Sequence, residues 1–263
     1  MRSYPIFTIA TVTWNAGATL ERTLCSVEQQ TYEGVEHLII DGCSSDNTLQ
    51  IIRRYVERGT SEGHPHTIRL MREPDDGLYD AMNKALVQAK GDYIIFLNAG
   101  DKFHEATTLE QVAACIRQQP PSHRPAVVYG ETDLVDDEGR FLRHRRLRAP
   151  SHLHARSFLN GMLVCHQSFY VRTDQAQRVP YDLRYRYSAD YDWCIRLMLR
   201  AEKRGFTFLN TELILTDYLS EGMTTRHHRA SLIERFRLMA HHFGWFSAVS
   251  AHLWFVVRAV IRR

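Results

Sequence analysis

No C-x-x-C pair occurs in the 263 residues, and the five cysteines, at positions 25, 43, 115, 165 and 194, are odd in number and widely spaced. That argues against a zinc site and a disulfide framework and points to a reducing compartment. No G-x-G-x-x-G follows the first apolar run, which counts against a nicotinamide dehydrogenase, and no G-x-x-x-x-G-K-[ST] occurs, which counts against a P-loop NTPase. Charge of one sign is not in excess. A net charge of +3 with 24% charged residues argues against bulk disorder and does not call for nucleic acid. The N-terminus, MRSYPIFTIATVTWN, lacks the longer apolar core and the cleavage site of a signal peptide.

What is present is an alternation of two periods. Ile6 to Val12, His37 to Ile40, Thr67 to Met71 and Tyr93 to Leu97 are short runs rich in β-branched and apolar residues and read as strands. Between them Leu20, Leu24 and Val27, then Leu49, Ile52 and Val56, then Leu78, Met82, Ala85, Leu86 and Ala89 recur at helical spacing. Asp46 is placed to cap the second helix and Gly91 to end the third. Strand and helix alternating three times in about 100 residues predicts an α/β fold with a mostly parallel sheet and helices on both faces. Ligands of such sheets sit at the carboxyl ends of the strands, and Asp41 and Asp101 both fall there. Beyond this point Ala126 to Tyr129, Cys165 to Arg172, Thr207 to Leu209 and Ile214 to Tyr218 read as strands, Asp190 to Arg200 as a helix, and 136 to 160 as a loop or hairpin.

Five stretches then follow in order: "TVTWNAGATLERTLCSVEQQTYEGVEHLIIDGCSSDNT", "EPDDGLYDAMNKAL", "GDYIIFLNAGD", "CHQSFYVR" and "SADYDWCIRL". Together they resemble family 2 glycosyltransferases over residues 5 to 220, in the branch that builds bacterial cell-surface polysaccharides, including colanic-acid-type enzymes. The resemblance implies a GT-A fold, a nucleotide-sugar donor and a divalent cation, Mg²⁺ or Mn²⁺. It divides the chain into a catalytic domain over 1–225, with a nucleotide-binding half over 1–101 and an acceptor half over 102–225, and a helical tail over 226–263. Members that polymerise processively carry a Q-x-x-R-W motif and several membrane spans; this chain has neither, so one transfer per encounter is expected.

The resemblance also implies roles. Where the family carries a run such as D-x-D-D, this sequence reads Asn98-Ala99-Gly100-Asp101. Asp101 is thus the expected metal ligand, since hard cations take oxygen ligands. Asn98 is expected on the donor side, and Gly100 to leave room for the ribose or diphosphate. Asp41 is expected to accept from a uracil N3–H, favouring UDP, with Thr11 and Asn15 lining the same pocket and Asp76 and Gly77 beside the nucleotide. Lys84, spaced i, i+4 from Asp80, reads as an ordinary helix pair. Asp190 matches the general base; Asp192 is the other carboxylate of that stretch, and on a helix the two point roughly 200° apart. His166 and Gln167 are expected at the donor sugar or diphosphate, and Arg226 to close over the leaving diphosphate.

From Trp245 the tail reads WFSAVSAHLWFVVRAVIRR, with a charge-free run from Phe243 to Val257 that is shorter than the ~20 residues of a membrane span. On a helix Phe246, Val249, Leu253, Val256, Val257 and Val260 share one face, which suits a helix lying on a membrane surface. Packing on the catalytic domain or on a second subunit is the alternative. The expected location is the cytoplasm, at the cytoplasmic face of the membrane. The expected partners are a nucleotide sugar and a glycan or lipid-linked acceptor. Two other functions stand beside this one. A sugar-phosphate nucleotidyltransferase is disfavoured because the first loop, Thr13 to Gly17, is not of G-x-G-x-R type. A decayed carbohydrate-binding protein is disfavoured because Asp41, Asp101 and Asp190 are all kept.

Overall fold

The computed structural model describes residues 4–59, 66–220 and 228–261. In chain order these form β1 (Phe7–Thr13), α1 (Leu20–Glu28), β2 (Val35–Asp41), α2 (Thr48–Gly59), β3 (Thr67–Arg72), α3 (Leu78–Gln88), β4 (Tyr93–Phe96) and β5 (Lys102–Phe103). Then come α4 (Thr108–Arg117), β6 (Val127–Val135), β7 (Phe141–His144), β8 (Phe169–Arg172), α5 (Thr173–Ala176), α6 (Ala189–Lys203), β9 (Phe208–Leu219), α7 (His228–Phe243) and α8 (Trp245–Ile261). All nine strands form one sheet in the order β3-β2-β1-β4-β8-β6-β9-β5, with β7 paired to β6.

β1 to β4 are parallel neighbours, as the alternation requires. β8 joins antiparallel, and the sheet becomes mixed from there. Residues alternate across it with period two. Ile94 and Phe96 enter a core under α3 and α6, with Met82, Leu86 and Trp193, while Ile95 and Leu97 enter a second core with Leu109, Val112 and Ile116 of α4. Both faces are covered, which is why β1, β2 and β4 read as continuous apolar runs. The Trp193 ring stacks on Tyr181 at 4.8 Å, and its indole N–H donates to Val179 O; its loss would cost about 3–5 kcal/mol.

Asp46 caps α2 as expected, accepting from Thr48 N at 2.9 Å. Gly91 serves differently. Its backbone runs against β1, and a Cβ would lie 2.7 Å from Ile6 O and Thr8 N. Two strand expectations change. Cys165 to Arg172 is not one strand: His166–Ser168 form a 3-10 turn before β8. Conversely, the two runs expected at 207–209 and 214–218 are one strand, β9, with a register irregularity opposite Gly130 where Glu212 takes φ 59°. The basic segment expected as a loop or hairpin holds the turn and second strand, β7, of the β6–β7 hairpin.

Candidate active site

Two cavities open near the carboxyl edge of the sheet, one of them at the end of β1. One, of about 820 Å³, is lined by Thr13 and Trp14 after β1, by Asp75 to Ala81 at the start of α3, and by Leu183 to Arg186. The other, of about 490 Å³, is lined by His166, Gln167, Asp190, Tyr218 and several arginines. Tyr79 lines the first and donates its hydroxyl to Asp190 Oδ1 at 3.2 Å, so Asp190 stands at the border of both. Burial and the Asp190 charge hold the Tyr79 phenol well above its ordinary pKa, which keeps it a proton donor.

Asp190 opens α6, with its side chain 17% exposed. Burial by itself would raise its pKa. The hydrogen bond and charge of His166, the charge of Arg235 and the Tyr191 N–H outweigh burial and hold the carboxyl below its usual range. His166 Nδ1 lies 3.4 Å from Asp190 Oδ2, and Asn98 Nδ2 lies 3.2 Å from Nε2. With the amide as donor, Nε2 accepts and Nδ1–H points at Asp190, which assigns the tautomer from the network. The 3-10 turn that replaces the expected strand swings His166 into this position. Asp192 faces elsewhere: it accepts from Arg196 and, at 2.7 Å, from His242 of α7.

Asp101 is buried and tethered. Gln167 Nε2 donates to Oδ2 at 2.8 Å and Leu219 N to Oδ1 at 3.0 Å. Burial pushes its pKa up to about 6, against the pull of those two donors. Asn98 Oδ1 and Gln167 Oε1 are buried acceptors with no hydrogen-bond partner. Together with the Asp101 carboxylate they make an all-oxygen donor set of the kind Mg²⁺ or Mn²⁺ takes, so these residues fit such a cation. A second group, His104, Asp133 and Asp217, has ligand atoms within 4.8 Å of one another. It lies on the other face of the sheet, since its acids alternate with the cavity residues Leu134 and Tyr218. Lys102 already pairs with Asp217 at 2.8 Å and His144 with Asp133 at 2.8 Å.

Gly100, expected to leave room for the ribose or diphosphate, sits against Leu219. Its φ of +104° is what demands glycine, and a Cβ would meet Leu219 Cδ2 at 2.9 Å, not open space. Thr11, expected in the nucleotide pocket, is fully buried, donates to Leu97 O and contacts His37; Thr13 stands at the cleft instead. Asn15, at φ 48°, accepts from Ser45 N at 2.9 Å and ties two loops together. Asp41 is buried beneath its own turn, bound by Ser44 and by Arg72 Nε at 3.3 Å. Asp76 and Gly77 do line the larger cleft. Lys84 pairs with Asp80 at 3.4 Å and Glu73 at 3.5 Å, as an ordinary helix lysine. Arg226 lies outside the described residues. Sequence reasoning missed Tyr79, Trp14, Arg72 and the arginines of the smaller cavity. Their only signal was position: Trp14 follows the first strand, Arg72 ends the third, and Tyr79 starts a helix at a glycine.

The pattern described as Glycosyl transferase family 2 matches residues 8–178. The chain is similar to the PGL/p-HBAD biosynthesis glycosyltransferase of Mycobacterium tuberculosis, 33% identical over 193 residues, which cover 73% of this chain and 69% of that one. It is also similar to the amylovoran biosynthesis glycosyltransferase AmsB of Erwinia amylovora, at 24% over 250 residues, 94% of this chain and 78% of that one. Among solved structures it is similar to Staphylococcus aureus TarS 1-349 in complex with UDP-GlcNAc, with a TM-score of 0.67 and 18% identity. That match covers 89% of this chain and 64%, under two thirds, of the other. A mannosyltransferase of Pyrobaculum calidifontis in complex with GDP-Man and Mn²⁺ gives a TM-score of 0.60 at 16% identity, covering 94% and 74%. The strand-end acids, the mixed sheet and these likenesses agree: this chain belongs to glycosyl transferase family 2, with a GT-A fold, and is a glycosyltransferase.

Proposed function

We propose that this enzyme moves a sugar from a UDP-sugar to a hydroxyl of a lipid-linked glycan, with inversion and one transfer per encounter, aided by a divalent cation. The observation that carries the reading is the position of Asp190, ionised and at the border of two cavities. The larger cavity takes the nucleotide. Trp14, 67% exposed there, offers a flat ring for the base, and Thr13 offers a buried hydroxyl with no partner. Asp41 ends β2 beside Thr13, buried and bound by Ser44 and Arg72, and so braces the strand ends beneath that cleft. Asn98, Asp101 and Gln167 would hold the cation, which when bound supplies charge neutralisation of the diphosphate.

The acceptor hydroxyl enters the smaller cavity and donates to Asp190. As its oxygen attacks the anomeric carbon from the face opposite the diphosphate, Asp190 takes the proton. The new carbon–oxygen bond forms while the bond from that carbon to the diphosphate oxygen breaks. The products are the inverted glycoside, a nucleoside diphosphate and a protonated Asp190. His166 Nδ1–H and Tyr79 O–H hold the carboxylate in place, leaving a lone pair for the incoming hydroxyl. General-base help of this kind is worth ~10²–10⁴-fold.

The test has two arms. Thermal shifts with a panel of nucleotide sugars, with and without Mn²⁺, should be largest for a UDP-sugar with the metal; a larger shift with a purine donor overturns the pyrimidine assignment. Asp190→Asn should then lower transfer by roughly 10²-fold or more while UDP affinity persists.

A further inference from the structure

The smaller cavity carries more positive charge than the proposed base chemistry requires. Arg143, Arg145, Arg146 and Arg235 all line it, three from the end of the β6–β7 hairpin and one from α7. Among the described residues none of the four has a carboxylate within ion-pair range, although other arginines of the chain are paired, such as Arg140, Arg172 and Arg184. Arg145 is held in place by the carbonyls of Met162 and Leu163, and Arg235 keeps a buried Nε with no partner. Among the described residues the one acid lining the cavity is Asp190. Guanidinium groups crowded without counter-charge repel one another, and such a cleft selects an anion. Their planar forks match phosphate oxygens bidentately.

We propose that this cavity recognises a phosphate or diphosphate group borne by the acceptor. The assignment to the acceptor rests on the reading above, in which the nucleotide occupies the cleft on the far side of Tyr79 and the attacking hydroxyl comes in past Asp190. Phe255 of α8 also lines the cavity, so its rim continues into a helix whose outward side chains Phe246, Leu253 and Trp254 are exposed. A phosphate next to an apolar surface is the signature of a lipid phosphate; a phosphate borne on the glycan itself is the other source of the same chemistry.

The experiment titrates UDP-saturated full-length protein with inorganic pyrophosphate and with farnesyl diphosphate by calorimetry at low salt. The side chains of Arg143 and Arg146 are exposed and make no hydrogen bond within the described residues, so the double variant Arg143→Ala/Arg146→Ala should fold, as circular dichroism will verify. Its affinity for both probes should fall tenfold or more, with UDP affinity unchanged within twofold. Wild-type protein that binds neither probe overturns the proposal, as does a variant that loses UDP affinity in parallel, which would hand the arginines to the donor diphosphate. Farnesyl diphosphate binding more tightly than pyrophosphate supports the lipid source, and equal binding overturns that source in favour of a glycan phosphate. Asp190→Asn should bind both probes at least as tightly as wild type, since it removes a negative charge from the cavity lining. If that variant instead keeps full transfer activity, the general-base reading falls while the arginine result stands.

Discussion

Asp101 shows how far one carboxylate's environment sets its use. Desolvation raises its pKa to about 6 although two donors stabilise its charge. The fold therefore favours its protonated form. The stability that this contributes is fully present below the unfolded value of 3.8 and is lost as pH rises through about 6. A cation bound there must displace that proton. The gain in UDP affinity from Mn²⁺ should accordingly shrink as pH is lowered from 7 to 5, and Asp101→Ala should abolish it at every pH. Calorimetric UDP titrations with and without Mn²⁺ at three pH values check this; an unchanged Mn²⁺ effect in the variant sinks the assignment. The sequence pointed to Asp101 because an apolar strand stops there. It could not show that Gly100 answers to backbone conformation and to Leu219, because Leu219 is distant in the chain.

At the scale of elements, α6 places two acids on opposite sides. Asp190 faces the cavity, and Asp192 locks α6 to α7 through His242 while holding Arg196. Helical periodicity made the divergence legible in the sequence; which acid is left facing the cavity depended on where α7 packs. Asp192→Ala should destabilise the fold by about 3 kcal/mol, since it strips a buried, paired charge, and leave turnover per folded molecule within a few fold. Urea unfolding alongside kinetics checks both halves. Greater damage to turnover than in Asp190→Asn would reverse the two roles. The sheet adds a pH dependence of the opposite sign to that of Asp101. His37 is sealed between Thr11 and Tyr55, and its pKa falls to about 3 because burial penalises its charged form. The unfolded chain binds the proton that the fold refuses. This contribution is therefore present above about 6.5 and is lost as pH falls, by about 1.4 kcal/mol per pH unit down to about 3. His37→Phe should flatten that part of the stability profile measured by denaturant unfolding at pH 4 to 7.

On the scale of the whole molecule, α8 packs one side inward, through Ala248 and Phe255, and turns the other out. Phe246 at 88% and Leu253 at 63% exposure lie on the outward side with Val249 and Val257, so these members of the apolar face read from the sequence are not spent on the domain's own core. Among the described residues no helix is long and apolar enough to cross a membrane. A helix lying in the interface fits both facts. The proposed lipid-linked acceptor would then be met at the leaflet. Full-length protein should sediment with anionic vesicles at 0.1 M salt and less at 1 M, where the Debye length shrinks from about 10 Å to about 3 Å. Phe246→Ser/Leu253→Ser should release it without unfolding, because neither side chain is buried. Protein that ignores vesicles at low salt, with the double variant changing oligomeric state by light scattering, would make the face a contact between subunits.

Periods of two and 3.6 residues act over a few neighbours, so the sequence by itself determined the strand and helix order of the first hundred residues, the parallel sheet, and the strand ends where Asp41 and Asp101 stand. It also determined that Asp190 and Asp192 diverge, because that follows from one helix turn. Only the tertiary structure decided which groups meet. Asn98, His166 and Asp190 come from the loop after β4, a 3-10 turn and α6, and they converge because β8 enters antiparallel beside β4. The same packing turned Thr11 inward and brought the arginines of a hairpin and a distant helix around one acid. Contacts between elements far apart in the chain are set by how their faces pack, and no local pattern encodes them.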